Sequence, residues 1–148
     1  MYKYFLPGLL AVAVTVLGLS PSAPAFGADE VNEHHGAFMK CAKACADCQL
    51  QCDSCFTHCR KLLAEGKKEH AKTVQTCADC GECCKLAATL TARSSPFSAA
   101  ACECCAKCCD ECATACGTFK EDKHMAECAK SCRDCAKACR EMLEHLKK

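Results

Sequence analysis

Tryptophan and isoleucine are absent from this 148-residue chain, and beyond residue 25 the only valines are Val31 and Val74. Leucine and phenylalanine are sparse there too. These are the side chains that fill an ordinary core, so an ordinary core is excluded. An excess of charge of either sign is also missing. With 19 Lys+Arg against 18 Asp+Glu the net charge is +1, which leaves no electrostatic footprint for nucleic acid or an anionic membrane surface. The one long apolar run, Leu9 to Leu19, is short for a transmembrane helix. It follows Lys3 and precedes Ser20-Pro21-Ser22 and Ala23-Pro24-Ala25, the order of charge, apolar run and small residues in a secretory leader. Residues 1–25 are therefore expected to be a signal peptide, cut after Ala25 or Gly27. An uncleaved N-terminal anchor is the alternative.

What is abundant is cysteine, 21 residues, all beyond the leader. Cys41, Cys45, Cys48, Cys52, Cys55 and Cys59 step by four and three, along the stripe where a bundle helix carries its apolar residues. The stepping returns at Cys77, Cys80 and Cys84, again at Cys102, Cys105, Cys109, Cys112 and Cys116, and finally at Cys128, Cys132, Cys135 and Cys139. Uncharged cysteine behaves as a small hydrophobe, so sulfur and alanine take the place of the missing aliphatics. Interleaved lysines and acids form the solvated outer face.

After an arm at 26–32, a bundle domain is expected over 33–148. Its first helix starts near Val31 or Glu33 and ends at Leu63, with Gly66 at the stop. A second helix covers about Lys68 to Thr91 or Ala92. Ser94-Ser95-Pro96 reads as a cap followed by a proline in the first turn, opening a third helix to Cys116. Asp122 caps a fourth, which runs to about Lys147. Short connections force antiparallel neighbours, so the expected fold is all-α, an up-down-up-down four-helix bundle with a cysteine-lined core.

An exported cysteine-rich chain is ordinarily a disulfide scaffold, and that reading stands as an alternative. The spacing opposes it. A disulfide needs Cβ atoms about 3.5–4.5 Å apart, whereas positions i and i+4 of a helix hold them about 5–6 Å apart. Such a pair suits S–metal–S instead, with the two thiolates on opposite sides of one ion. Thiolate donors select Cu(I), zinc or iron–sulfur clusters, and the compact loop spacings of clusters are missing. Each Cu(I) that replaces one thiol proton leaves the core neutral. Zinc bound by four thiolates leaves two surplus negative charges, each costly to bury. Cu(I) fits best. A general thiol protein for Zn(II), Cd(II) or Hg(II) is the runner-up. Copper enzymes need imidazoles and an open position, and no cysteine helix carries a histidine pair at ligand spacing, so no catalysis is expected.

On these repeated Cys-x-x-x-Cys helices, from about Glu33 to Lys148, the chain resembles the copper storage proteins, a bacterial family of four-helix bundles. The resemblance implies many Cu(I) ions along the bundle axis, held mostly by cysteine pairs, and association as a homotetramer. Exported members supply or buffer copper outside the cytosol, which implies the periplasm. Some carry a twin-arginine leader, but residues 1–8 hold no arginine, so export is expected through the general secretory route, with copper loaded afterwards.

Extending the register beyond the thiols locates the ends. Phe38, Met142 and Leu146, with Leu90, Thr91 and Phe97 nearby, are expected to plug one end. At the other, His70 lies one heptad before Cys77, and His124 and Met125 lie just before Cys128. Copper is expected to enter there, because imidazole and thioether pass Cu(I) on without the grip of thiolate. His34, His35 and Met39 are a competing soft cluster at the plugged end, while His58 and His145 read as solvated. Cys83 and Cys108 flank the inward face and Cys104 points furthest out. They are expected either to form a second row of metal sites or, for Cys104, to remain a partly exposed thiol.

Overall fold

Cysteine and alanine are compact enough to let helices approach closely, and the chain uses them to build a square of helices. In the computed structural model, which describes the backbone of residues 28–147 and the side chains of 33–147, α1 spans Ala28–Ala64, α2 Ala71–Ala92, α3 Ser98–Gly117 and α4 Lys123–His145. A single 3-10 turn, Lys68–His70, leads into α2. Helix α1 packs on α2 and α4, and α3 on the same two, giving the expected all-α four-helix bundle. The leader expected over 1–25 lies outside the described residues. Among the described residues no helix is long and apolar enough to cross a membrane.

The inward stripe is where the stepping put it. Cysteines from all four helices are buried, with Ala87, Ala106, Ala113, Ala129 and Ala136 between them. At Gly81 on α2 the contact with α1 is tight: a Cβ there would lie 3.0 Å from Asp53 Oδ1 and 3.8 Å from Cys52 Cβ. The outer faces carry pairs such as Lys43–Asp47 and Lys130–Asp134, at 2.9 and 2.6 Å. These are exposed and contribute little each.

The helix ends explain where the reversals fall. Gly66 adopts φ +89; its N–H donates to Leu63 O and that of Lys67 to Leu62 O, the paired bonds of a left-handed helix stop. Ser94, at φ 48, does the same for α2, with Ser94 N–H on Thr91 O and Ser95 N–H on Leu90 O. That corrects the expected start of the third helix. Ser94 and Ser95 are committed to closing α2, so Pro96 lies in the turn and α3 begins at Ser98 with Phe97 as its cap residue. Ser95 Oγ still accepts from Phe97 N–H, at 3.2 Å. Asp122 does cap α4, accepting from His124 and Met125 N–H at 3.0 and 3.2 Å. The expected arm at 26–32 is helical from Ala28.

Candidate metal centre

Of the 21 cysteines, all free, every one except Cys83, Cys104 and Cys108 is buried, which leaves 18 in the interior. They form one connected column. Near the start of α1, Cys41 Sγ lies 3.7 Å from Cys102 Sγ and 4.0 Å from that of Cys139. Cys45 reaches Cys139 at 3.6 Å and Cys135 at 3.7 Å. In mid-bundle Cys84 touches Cys105 and Cys109 at 3.6 and 3.7 Å, and Cys80 touches Cys109 at 3.5 Å. Cys132 meets Cys48 and Cys52 at 3.8 and 3.6 Å. Towards the far end Cys77 lies 3.7 Å from both Cys112 and Cys116, and Cys55 lies 3.8 Å from Cys59.

These spans bear on how the pairs can hold an ion. Sulfurs one helical turn apart, as in Cys48/Cys52, Cys80/Cys84 and Cys112/Cys116, are 3.9–4.0 Å apart. With metal–sulfur bonds of about 2.3 Å, that spacing subtends roughly 115–120° at an ion, and a side-chain rotation that adds about 0.6 Å opens it to the straight angle of an ion between opposed thiolates. Pairs across helices have the same spacing, so a third or fourth sulfur is close at hand. Cys52, Cys112, Cys128 and Cys132 all lie within 4.8 Å of one another, as do Cys55, Cys77, Cys116 and Cys128. Adjacent quartets share members: Cys128 belongs to both of these, and Cys48 and Cys80 belong to two others. Independent tetrahedra cannot fill them all at once, whereas ions bridged by shared thiolates can.

Protons are unevenly held in this network. Hydrogen bonding with Cys105, Cys135 and Cys139, reinforced by burial, pushes the Cys45 thiol far above its ordinary value. Hydrogen bonding with Cys109 and Cys132 holds Cys48 far below it, against burial. Touching sulfurs such as Cys48 and Cys132, 3.8 Å apart, share one thiol proton between them. A soft monovalent cation is suited to take that proton's place.

The two ends differ in their plugs. Phe38, Met142 and Thr91 close the end near the start of α1. Phe97 and Leu146, expected to join them, are 68% and 39% exposed: both lie outside the helices proper, where the heptad register no longer points inward. At the opposite end Met125 is fully buried, and His70 is 6% exposed with its ring centroid 4.3 Å from that of Phe119. His70 Nδ1 is buried without a hydrogen-bond partner, a rare state for a polar atom and one a soft ion would satisfy. His124 is half-buried on the α1/α4 seam, its Nε2 3.1 Å from Ser54 Oγ and its ring stacked on His58 at 4.9 Å.

Two histidines read as solvated are in fact engaged. His58 Nε2 lies 2.7 Å from Asp122 Oδ2, and His145 Nε2 lies 2.8 Å from His34 Nδ1. The signal for both was adjacency: His58 precedes Cys59 in register, and His145 follows Met142 by one turn. Neither fixes a partner on another helix. His34 also packs edge-on against Phe38, at 5.6 Å, while a surface cavity there is lined by Cys41, Met142 and His145. His35 and Met39 lie on the exposed side.

The outlying thiols converge between α2 and α3. Cys83 Sγ lies 3.1 Å from Cys108 Sγ and 3.7 Å from Cys104 Sγ. Cys83 and Cys108 are half-buried and Cys104 is exposed. Burial, then hydrogen bonding with Cys108 and Cys104, pushes the Cys83 thiol up, and burial raises Cys108 as well.

Residues 28–144 match the family described as copper storage protein. A protein of Bacillus subtilis strain 168 described as uncharacterized cysteine-rich protein YhjQ is 38% identical over 91 residues, which is 61% of this chain and 81% of its own. Among solved structures, apo copper storage protein 3 from Bacillus subtilis superposes with a TM-score of 0.62 at 36% identity, covering 70% of this chain and 96% of its own. The Cu(I)-bound copper storage protein BsCsp3 gives 0.62 and 36%, covering 70% and 94%. A protein of Nitrosospira multiformis gives 0.64 and 30%, covering 74% and 97%.

Proposed function

This chain belongs to the copper storage protein family, and we propose that it stores or buffers many Cu(I) ions in its thiol core, for supply to cuproenzymes or for protection from copper. The observation that carries this is the column of 18 buried thiols, with neighbouring sulfurs 3.5–4.0 Å apart along two runs that the quartet of Cys52, Cys112, Cys128 and Cys132 joins within 4.8 Å. The column is continuous and its quartets overlap, so bridging ions load it more completely than separate tetrahedral ones. One proton leaves for each Cu(I), and the interior stays neutral at any load. Filling by zinc accumulates buried negative charge at every step.

The buried cysteines of the four stripes serve as ligands, and His70 and Met125 as soft donors where copper enters. The orphaned Nδ1 of His70 supports that role. His124, facing α1, takes a secondary place. The residue order over 1–25 supports a secretory leader and with it storage in a bacterial periplasm, which N-terminal sequencing of fractionated protein tests. The homotetramer implied by the family resemblance has exposed Leu50, Leu86 and Phe97 as apolar surface to bury, and sedimentation equilibrium tests it.

The deciding experiment is anaerobic Cu(I) titration of the reduced protein against a strong Cu(I) chelator, followed by metal analysis. Near one metal per interior thiol, the capacity is on the order of 15–20 ions per chain. Saturation at about four or five ions, with zinc or cadmium matching copper, replaces the proposal by a general soft-metal role.

A further inference from the structure

Cys83-Cys84, Cys104-Cys105 and Cys108-Cys109 are the chain's three cysteine doublets. One residue along a helix is a turn of about 100°. Each doublet therefore pairs one inward thiol with a second displaced round the helix. Cys84, Cys105 and Cys109 point inward and are fully buried. Their preceding partners come together outside the column, with Cys83 touching both Cys108 and Cys104, at 3.1 and 3.7 Å. Three thiols from two helices that meet at one half-open point form a constellation separate from the stripes.

We propose that Cys83, Cys104 and Cys108 form an outer Cu(I) site that exchanges its ion with solvent-borne thiol or chelator ligands faster than the buried column does. The proposal rests on the copper reading above. A trigonal ion with bonds of about 2.3 Å needs sulfurs about 4.0 Å apart. The Cys83–Cys104 span is within a few tenths of that, and Cys83–Cys108 opens by just under an ångström through side-chain rotation at a half-exposed surface. Charge separates this site from the interior. Three thiolates on one Cu(I) carry two net negative charges, which the buried column cannot hold but which water solvates at the edge of the bundle. Exchange at a thiolate-bound soft ion proceeds by attack of an incoming ligand, and here the approach is open. Cys108 borders a surface groove lined also by Thr76, Asp79, Lys107 and Glu111, which leaves its sulfur within reach of a ligand from solvent.

The test uses the full mature chain, reduced, loaded with Cu(I) without oxygen and mixed rapidly with excess chelator. The proposal expects a fast phase of about one ion per chain, absent from a C83S/C104S/C108S variant, whose total capacity falls by about one. Iodoacetamide added after the fast phase, with labelled sites mapped by mass spectrometry, should mark Cys83, Cys104 and Cys108 and spare the interior thiols. The substitutions are small and lie outside the column, and a melting temperature matching wild type verifies the variant's fold. A fast phase that persists in the variant, label spread over interior cysteines, or a Cys83–Cys108 disulfide in place of bound metal overturns the outer site and leaves the storage reading intact. A wild-type protein that takes up only a few ions sinks the storage reading instead.

Discussion

His58 Nε2 lies 2.7 Å from Asp122 Oδ2, so the carboxylate that caps α4 is also held by α1. Burial alone raises the carboxyl, but hydrogen bonds from His58 and from the backbone of Met125 hold it below the ordinary carboxylate value. One side chain thus fastens the start of α4 and the seam beside Met125.

Asp122→Ala should destabilise the metal-free bundle by about 0.5–2 kcal/mol, the usual range for a lost N-cap. The sign with pH follows from the depressed value. The contribution of Asp122 is fully present above the ordinary carboxylate range and is lost as pH falls through the lowered folded value. Denaturation midpoints of wild type and variant should therefore differ at neutral pH and converge in acid. A gap that widens on acidification counts against this role.

Ser94 occupies a left-handed position, φ 48, that costs a residue bearing a Cβ on the order of 1 kcal/mol. Ser94→Gly should raise the denaturation midpoint of the metal-free protein by that order, since the closing bonds of α2 use only backbone N–H groups. A lower midpoint would mean that the serine side chain contributes something the backbone bonds do not.

Copper binding should release about one proton per ion in the column, because each Cu(I) replaces one shared thiol proton. Affinity should consequently rise with pH. A pH-stat titration measures the count, and close to four protons per ion identifies separate tetrahedral sites instead.

His70→Leu with Met125→Leu removes two soft donors while roughly keeping volume. Stopped-flow uptake and chelator removal should both slow, with capacity changed by no more than about one or two ions, because thiolates hold the rest. The control is His34→Leu with His145→Leu, the pair that meets at the other end, and it should leave both rates unchanged. If only the control slows uptake, copper passes through the cavity beside Cys41.

The inward stripes were legible in the sequence because the four-three stepping fixes a helix face without knowledge of its neighbours. Gly66 and Asp122 were legible for a similar reason, each being a local signal with one conformational meaning. Ser94-Ser95-Pro96 misled because the end of one helix and the start of the next compete for the same residues. Phe97 and Leu146 misled because register carried past a helix end predicts burial that the backbone no longer enforces. The His58–Asp122 and His34–His145 pairs, and the meeting of Cys83 with Cys104 and Cys108, depend on how far one helix slides along another. No single-helix pattern encodes that offset.

Touching sulfurs of the column lie 3.5–4.0 Å apart, within a few tenths of an ångström of the span a trigonal ion needs. An ion that takes a proton's place there asks no helix to move. The ionic outer face then looks the same to any visiting molecule whether the interior is vacant or full. Cargo level is hidden from the flanks of this protein, and whatever gauges it must do so at the ends or at the thiol seam between α2 and α3.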